Sequence, residues 1–192
     1  MKKDLVTFLM FTPFFGGISK GTVERIISLS KHGIIHKGEL FFNEHDQANS
    51  MFVLLSGAVE VYKTWNNRQY PVTYLHQGDC FGEMSVIDHC QRSASVLALE
   101  DCEILEIGME SFAAIYEEDI KQYTMLQMNI GREVSRRLRE ANELLFQLKV
   151  EQEQKEKSAK VSVEVSEGQK REGQKREGQE TESGGRESRE SV

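Results

Sequence analysis

The sequence predicts an α+β fold that is mainly β, with an antiparallel β-sandwich or barrel between a short helix and a long helix, followed by a disordered tail. Across Gly33–Ile107, short apolar runs rich in Val, Ile, Tyr and Phe alternate with turn residues, a pattern typical of antiparallel architectures. Helical periodicity begins at Met109, and core-forming residues disappear after about Val150. We therefore expect the barrel over about residues 31–108 and the C-terminal helices over about 110–150.

The N-terminal segment contains an apolar stretch, Leu5–Phe15, that superficially resembles a secretion signal. Asp4 and Pro13 fit such a signal badly, no Ala-x-Ala cleavage motif follows, and the stretch is too short to span a bilayer as a helix. We therefore expect a cytoplasmic protein without a membrane segment. Thr22 is the predicted cap of the first clear helix, which runs to about Ser30.

One hairpin can be placed within the predicted barrel. Asn66 and Asn67 separate the apolar runs Val59–Tyr62 and Val72–Leu75. Asparagine tolerates the positive φ that tight hairpin turns require, so this pair is the predicted hairpin tip.

Two helices are predicted after the barrel. A short one covers Glu110–Tyr116, and a long one begins near Asp119. Apolar residues on the long helix recur at alternating intervals of four and three, which is typical of a seam between paired helices: Val134, Leu138, Ala141, Leu145 and Leu148. The alternative is packing on the barrel, which we expect instead for Tyr123, Leu126 and Ile130. The seam favours a homodimer through this helix.

Residues 1–150 form the predicted folded domain, and residues 151–192 form the predicted disordered, low-complexity tail. The pentapeptide Gly-Gln-Lys-Arg-Glu starts at Gly168, repeats at Gly173 and begins again at Gly178. The tail carries nine basic and eleven acidic groups and no aromatic residue. Such a composition cannot bury enough apolar surface to build a core, and its balanced charge does not favour nucleic acid.

The composition also argues against several classes of function. The chain has 31 acidic and 24 basic residues and a net charge of -7, so no overall positive field attracts nucleic acid, and direct DNA binding is not expected. The three cysteines contain no CxxC pair and the five histidines have no zincin spacing, so no metal site is predicted. No nucleophile motif is present, and we expect neither catalytic residues nor enzymatic activity.

The most informative motif is Phe81-Gly82-Glu83-Met84, followed nine positions after Glu83 by Arg92. Gly82 allows a ligand to approach the backbone, and the amides after it can open a short helix, whose positive end attracts anions. Arg92 offers a planar fork of donors suited to a phosphodiester. Glu83 would repel phosphate, but it suits a sugar hydroxyl. Together these groups predict a site for a cyclic nucleotide.

The whole run Gln77–Val96 resembles the phosphate-binding cassette of the cyclic-nucleotide-binding domain family. That family includes the bacterial catabolite activator protein and the regulatory subunits of cyclic-AMP-dependent protein kinase. Lys37–Glu39 and Leu55–Val59 resemble its turn and strand signatures, and the resemblance covers about residues 5–150. It implies a β jelly-roll barrel with a short N-terminal helix and loop packed against it. One departure is His45, where the family usually has glycine.

The resemblance also implies which residues bind the ligand. Ribose and phosphate would be held by the cassette residues Phe81, Gly82, Glu83, Met84, Arg92, Ser93 and Ala94. Thr73 and Asn142 fall near positions that contact the base in this family. A serine after the arginine resembles bacterial cyclic AMP binders, so cyclic AMP is the expected ligand and cyclic GMP the alternative, with no further cofactor.

Three functions agree with these features. The first is a cyclic-nucleotide sensor that transmits ligand binding through its long C-terminal helix to an unknown protein effector. The second is a transcription regulator of the catabolite-activator type, although no helix-turn-helix segment is recognisable after the long helix. The third is a ligand-free dimerisation or scaffold module.

Overall fold

The computed structural model of the chain describes residues 2–183, with side-chain surroundings described for residues 4–157. Five α-helices and a 3-10 helix, Pro13–Phe15, accompany eight strands in this part of the chain. The helices are α1 Lys2–Met10, α2 Lys20–Leu29, α3 Glu83–Asp88, α4 Met109–Glu118 and α5 Ile120–Ser183. The strands are β1 Lys31–Ile35, β2 Leu40–Phe42, β3 Ser50–Ser56, β4 Ala58–Trp65, β5 Arg68–His76, β6 Cys80–Phe81, β7 Ser95–Ala98 and β8 Cys102–Gly108.

The strands form two four-stranded sheets, in the orders β1-β8-β3-β6 and β2-β7-β4-β5. All the pairings are antiparallel, and strands distant in sequence lie side by side, as in a jelly roll. The predicted barrel over about 31–108 is confirmed, and so are the short helix before it and the long helix after it.

Two buried clusters hold this architecture together. One lies between the sheets and contains Leu54, Val59 and Phe81. The other joins the first sheet to the helices, and Leu126 and Ile130 of α5 belong to it, with Tyr123 packed against it. The prediction that the early part of the long helix packs on the barrel is therefore confirmed, because these apolar residues recur on one face of α5.

The β4–β5 hairpin turns at the predicted tip. Trp65 pairs with Arg68, and Asn66 and Asn67 between them have φ values of 49° and 58°. Both central residues of this two-residue turn thus occupy the left-handed region, which asparagine tolerates better than most residues.

His45 also has a positive φ, 72°, at the position where the family usually has glycine. The backbone shape of this turn is thus one that glycine favours, although a histidine adopts it.

Two local predictions about the helices have different outcomes. The prediction that Thr22 caps the first helix is wrong: Ser19 is the cap, and its Oγ accepts a hydrogen bond from the Thr22 backbone N–H at 3.2 Å. The predicted start of the long helix is confirmed, since Asp119 Oδ1 accepts hydrogen bonds from the backbone N–H groups of Lys121 and Gln122.

The chain divides into two compact units, one ending at Arg137 and one beginning at Leu138. The first unit contains both sheets, and it ends before the predicted domain border at residue 150. In the second unit α5 continues to Ser183, so residues 151–183 are helical where the sequence predicts disorder. A helix makes its hydrogen bonds locally, and Glu, Gln, Lys and Arg are good helix formers, so a composition that cannot form a core can still form a helix. The remainder of the predicted tail, 184–192, lies outside the described residues.

Candidate ligand-binding site

The site begins where β6 ends and α3 starts. Gly82 caps α3 with a φ of 77°, in the left-handed region, and so turns the chain from the strand into the helix. A Cβ at this position would lie 2.4 Å from Arg92 Nη1. The glycine therefore serves two purposes, a left-handed turn and the close approach of the arginine to the backbone.

Glu83 follows at the start of α3 and is only 3% exposed. Its Oε1 accepts a hydrogen bond from Arg137 Nη1 at 3.1 Å. Burial raises the pKa of the Glu83 carboxyl above its ordinary value, and the positive charge of Arg137 opposes that shift. A buried carboxylate with one cationic partner keeps acceptor positions for a ligand hydroxyl.

Arg137 is the residue of this site that sequence reasoning missed. Its Nη2 donates to the backbone carbonyl of Cys80 at 2.5 Å, and its Nε donates to Glu133 at 2.8 Å. Thus a single guanidinium of α5 binds both the first residue of β6 and the start of α3. A signal for it was present, because Arg137 continues the barrel-facing spacing of α5 one helical turn beyond Val134.

Arg92 provides the positive charge of the site and is only 5% exposed. Its Nη1 donates to the carbonyl oxygen of Gly82 at 3.0 Å, and its Cζ lies 4.0 Å from the ring centroid of Phe42. Burial lowers the pKa of this guanidinium from its ordinary value. Its Nε is buried without a hydrogen-bond partner among the described residues. A buried, unpaired donor is unfavourable, and an anion beside it would remove that cost.

The next residues form the exposed side of the same cassette. Ser93 Oγ lies 3.8 Å from Met84 Sδ, so the segment after Arg92 lies against the start of α3. Met84 is 46% exposed and Ser93 is exposed, whereas Ala94 is buried. Small residues at 93 and 94 leave space beside the guanidinium.

An open groove of about 540 Å³ adjoins Arg92 and Ser93. One wall is the loop before β3, and backbone hydrogen bonds fix it to the cassette: His45 N–H donates to Arg92 O and Arg92 N–H donates to Asp46 O, each at 2.9 Å. The lining residues are Glu44, His45, Gln47, Lys63, His89, Cys90, Gln91, Arg92 and Ser93.

The structure brings the cassette residues Gly82, Met84, Arg92 and Ser93 together through the contacts described above. Thr73 lies exposed on β5, opposite Val61 in register, and its hydroxyl is 3.5 Å from the carbonyl oxygen of Tyr74. Asn142 is exposed on α5 and belongs to the second unit. Their roles remain predictions.

Metal chemistry has no candidate here. In the part of the chain that the structure describes, no group of three or more His, Cys, Asp or Glu side chains is placed to hold a metal ion. The described helices also include none that combines the length and the apolar character needed to cross a membrane.

The two sheets and the cassette define a β-roll module with a buried cation and a buried carboxylate at one site. Residues 34–119 match the family model described as "Cyclic nucleotide-binding domain". This segment, a little under half of the chain, therefore matches the domain that the motif predicts.

The relatives are similar over part of their length. The chain is 30% identical over 132 residues to the Cyclic AMP receptor protein of Thermus thermophilus, covering 68% of this chain and 59% of that protein. It is 31% identical over 119 residues to the cAMP-activated global transcriptional regulator CRP of Pasteurella multocida, covering 61% of this chain and 54% of that protein. The chain thus spans little more than half the length of these relatives.

A solved structure gives the same result for the fold. The crystal structure of the Thermus thermophilus Catabolite Activator Protein superposes with a TM-score of 0.63 at 29% identity, covering 71% of this chain and 63% of that one.

Proposed function

We propose that this protein is a regulatory module that binds a 3′,5′-cyclic nucleotide in the cassette and carries no catalytic activity of its own. The observation that carries the proposal is Arg92, a buried guanidinium with an unpaired Nε next to a left-handed glycine. An anion with little bulk, such as a cyclic phosphodiester, would satisfy this donor.

In this proposal different residues of the cassette contact different groups of the ligand. Arg92 and Ser93 bind phosphate oxygens, with Ala94 leaving space, and the Gly82–Met84 backbone contacts phosphate and ribose. The Glu83 carboxylate accepts a hydrogen bond from the ribose 2′-hydroxyl, and Phe81 supports the floor of the site. Thr73 and Asn142 are the proposed contacts to the base.

Cyclic AMP is the proposed ligand, and cyclic GMP is the alternative. The names of the two bacterial relatives refer to cyclic AMP. The serine after Arg92 supports the same choice, because it resembles the serine of bacterial cyclic AMP binders.

The proposed signal runs through Arg137. Its guanidinium links α5 to Glu83 and to the carbonyl of Cys80, so a ligand hydroxyl that donates a hydrogen bond to Glu83 alters the balance of this link. Ligand binding would then shift a pre-existing equilibrium of α5 positions, and a protein effector would receive the change.

The three described cysteines are all free, which supports the proposed location in the reducing cytoplasm.

Calorimetric titration of the full chain with cyclic AMP, cyclic GMP and 2′-deoxy cyclic AMP tests this function. We expect saturable binding of cyclic AMP, weaker binding of cyclic GMP, and weaker binding of the deoxy analogue because Glu83 loses its partner. Absence of both heat and thermal shift with millimolar cyclic nucleotides would contradict the proposal.

A second candidate function is assembly, with or without ligand. Within the second unit α5 exposes Leu138, Leu145 and Leu148 by 59%, 52% and 53%, which is unfavourable in water unless another surface covers them. We include a homodimer through α5 in the proposal for this reason. The ligand-free scaffold and a transcription regulator of the catabolite-activator type remain the alternatives. The titration separates only the scaffold from a sensor, because a regulator of this type would also bind the nucleotide.

A further inference from the structure

The groove beside Arg92 contains a second cation that no sequence motif assigns. Lys63 of β4 lines it together with Arg92 and Ser93, and its side chain is 56% exposed. Lys63 lies 29 positions before Arg92, so only the packing of β4 beside the cassette brings both cations to one groove.

Lys63 is held in place by a carboxylate of the opposite wall. Its Nζ lies 2.8 Å from Glu44 Oε1, and the Glu44 side chain is only 17% exposed. The backbone N–H of Glu44 donates to Ser95 Oγ at 2.9 Å, which fixes the wall to β7. Both members of the ion pair are therefore attached to rigid elements of the barrel.

The ion pair has a direct consequence for an anionic ligand. A carboxylate that lines the same groove as Arg92 repels a phosphate, and this repulsion is strong where solvent screening is reduced. The ammonium of Lys63, which lines the same groove, offsets that repulsion. His45 Nε2 lies 4.0 Å from the same carboxylate oxygen, but the histidine is largely exposed.

We infer that Lys63 is a further ligand-binding residue: it is the second cation of the phosphate site, and its pairing with Glu44 keeps the groove open to anions. The inference rests on the proposed function and deepens it. In this inference the groove binds the negatively charged part of the ligand, the cyclic phosphodiester. The phosphodiester passes Lys63 as it approaches Arg92. A positive groove also raises the association rate of an anion, an effect that salt reduces.

Four variants of the full chain test it by titration with cyclic AMP at low and at physiological salt. Lys63→Met is expected to weaken binding about tenfold, a change of about 1.4 kcal/mol, because it removes a cation and exposes the charge of Glu44. Lys63→Arg keeps the charge and should restore most of the affinity. Glu44→Gln should bind as well as wild type or up to a few-fold tighter. The double variant Lys63→Met with Glu44→Gln should recover the part of the loss that comes from the exposed Glu44 charge, and it should stay weaker than Glu44→Gln because the Lys63 cation is absent.

The matched control is another Lys–Glu pair at the surface, Lys20 and Glu24 of α2, whose Nζ and Oε1 are 3.7 Å apart. Lys20→Met is expected to leave affinity and its salt dependence unchanged. The structural alternative is that the Lys63 pair merely ties a loop to β4. In that case the double variant would lose at least as much affinity as Lys63→Met, and thermal stability would fall in parallel.

The outcomes separate this inference from the proposed function. Wild type that binds cyclic AMP, together with a Lys63→Met variant of unchanged affinity, overturns the inference and leaves the function standing. A double variant that binds no better than Lys63→Met, or one that binds as tightly as Glu44→Gln alone, also overturns it. Wild type that binds no cyclic nucleotide overturns both.

Discussion

At the scale of single residues, the site is built from charges that are buried more deeply than most. Glu83 and Arg92 are 3% and 5% exposed, although Glu and Arg are rarely buried unless they are paired. Glu83 has a cationic partner in Arg137, whereas the Arg92 side chain donates to a backbone carbonyl and stacks on aromatic rings among the described residues. The arginine is therefore the residue with the most to gain from an anion.

The first residue-scale prediction is that Arg92→Ala abolishes most of the affinity for cyclic AMP. Charge-assisted hydrogen bonds contribute about 1.5–3 kcal/mol each, which corresponds to roughly tenfold or more in affinity for every 1.4 kcal/mol. Stability should fall only modestly, because removal of the buried unpaired donor offsets part of the loss of the bond to Gly82 O and of the contact with Phe42. Titration and thermal unfolding measure the two effects, with the exposed Arg68→Ala as control. Unchanged affinity would make Arg92 a purely structural residue.

The second prediction separates the ribose contact from the phosphate contact. Glu83→Ala should weaken cyclic AMP binding, but its effect should shrink markedly with 2′-deoxy cyclic AMP, because that ligand lacks the hydroxyl that Glu83 is expected to bind. Arg92→Ala should weaken both ligands alike. A double-mutant cycle that combines Glu83→Ala with removal of the ligand's 2′-hydroxyl measures the coupling energy between these two groups. If Glu83→Ala lowers the affinity for both ligands equally, the carboxylate supports the structure of the site and does not bind the 2′-hydroxyl.

A third prediction concerns pH. Burial raises the pKa of Glu83, so between its ordinary value and the raised value the folded state holds a proton that the unfolded state has lost. The stability of wild type should therefore fall, relative to Glu83→Gln, as pH rises through that window, and recover as pH is lowered. Thermal midpoints of both proteins between pH 4 and 8 test this. A slope of opposite sign would mean that pairing with Arg137 outweighs burial.

At the scale of elements, α5 has two different faces along its length. In the first unit Leu126 and Ile130 are completely buried. In the second unit the apolar residues of the predicted seam are exposed, and residues 138–150 include no buried side chain. An isolated helix gains little from propensity alone, so a stripe of this kind favours a second helix.

The element-scale prediction follows from that stripe. Wild type should be a homodimer at micromolar concentration, and Leu138→Lys with Leu145→Lys should give a folded monomer, because the change places charge in the seam. Gln147→Lys, which lies off the seam, is the control and should remain dimeric. Sedimentation measures the mass, and titration of the monomer shows whether ligand binding needs the dimer. Monomeric wild type with and without nucleotide would contradict the seam.

At the scale of the whole molecule, the fold and the tail have separate sources of stability. The first unit ends at Arg137 and contains both sheets, the buried clusters and every cassette residue. Residues 151–183 are helical and depend on local hydrogen bonds. Because isolated helices are marginal in water, this segment adds helical content without adding to the core.

The whole-molecule prediction is that deletion of residues 151–192 leaves the thermal midpoint and the affinity for cyclic AMP nearly unchanged. The helical signal in circular dichroism should fall by more than the loss of a disordered tail would cause, because the deleted part includes helix. A drop of many degrees would mean that the tail packs on the domain. If the helical signal per molecule is the same before and after the deletion, the deleted residues are disordered and not helical.

The sequence by itself determined the strand region, the Asn66–Asn67 hairpin and the cassette from Gly82 to Ala94, because each depends on neighbours in the chain. Alternating apolar runs, turn residues and the Gly-Glu-to-Arg spacing are local signals. Such local signals can place a helix start a few residues away from its true position. The predicted cap is Thr22, but the structure has Ser19, and both residues carry a hydroxyl near the start of the helix.

Which charges meet depends on how the elements pack in three dimensions. Arg137 reaches Glu83 across 54 positions, and Lys63 reaches the groove of Arg92 through the packing of β4. The spacing of α5 indicates that Arg137 faces the barrel, but neither pairing partner can be predicted from it, because the pairing depends on how separate elements pack. The helix beyond residue 150 was missed for a related reason: the sequence shows that the segment cannot form a core, but helix formation requires only local hydrogen bonds.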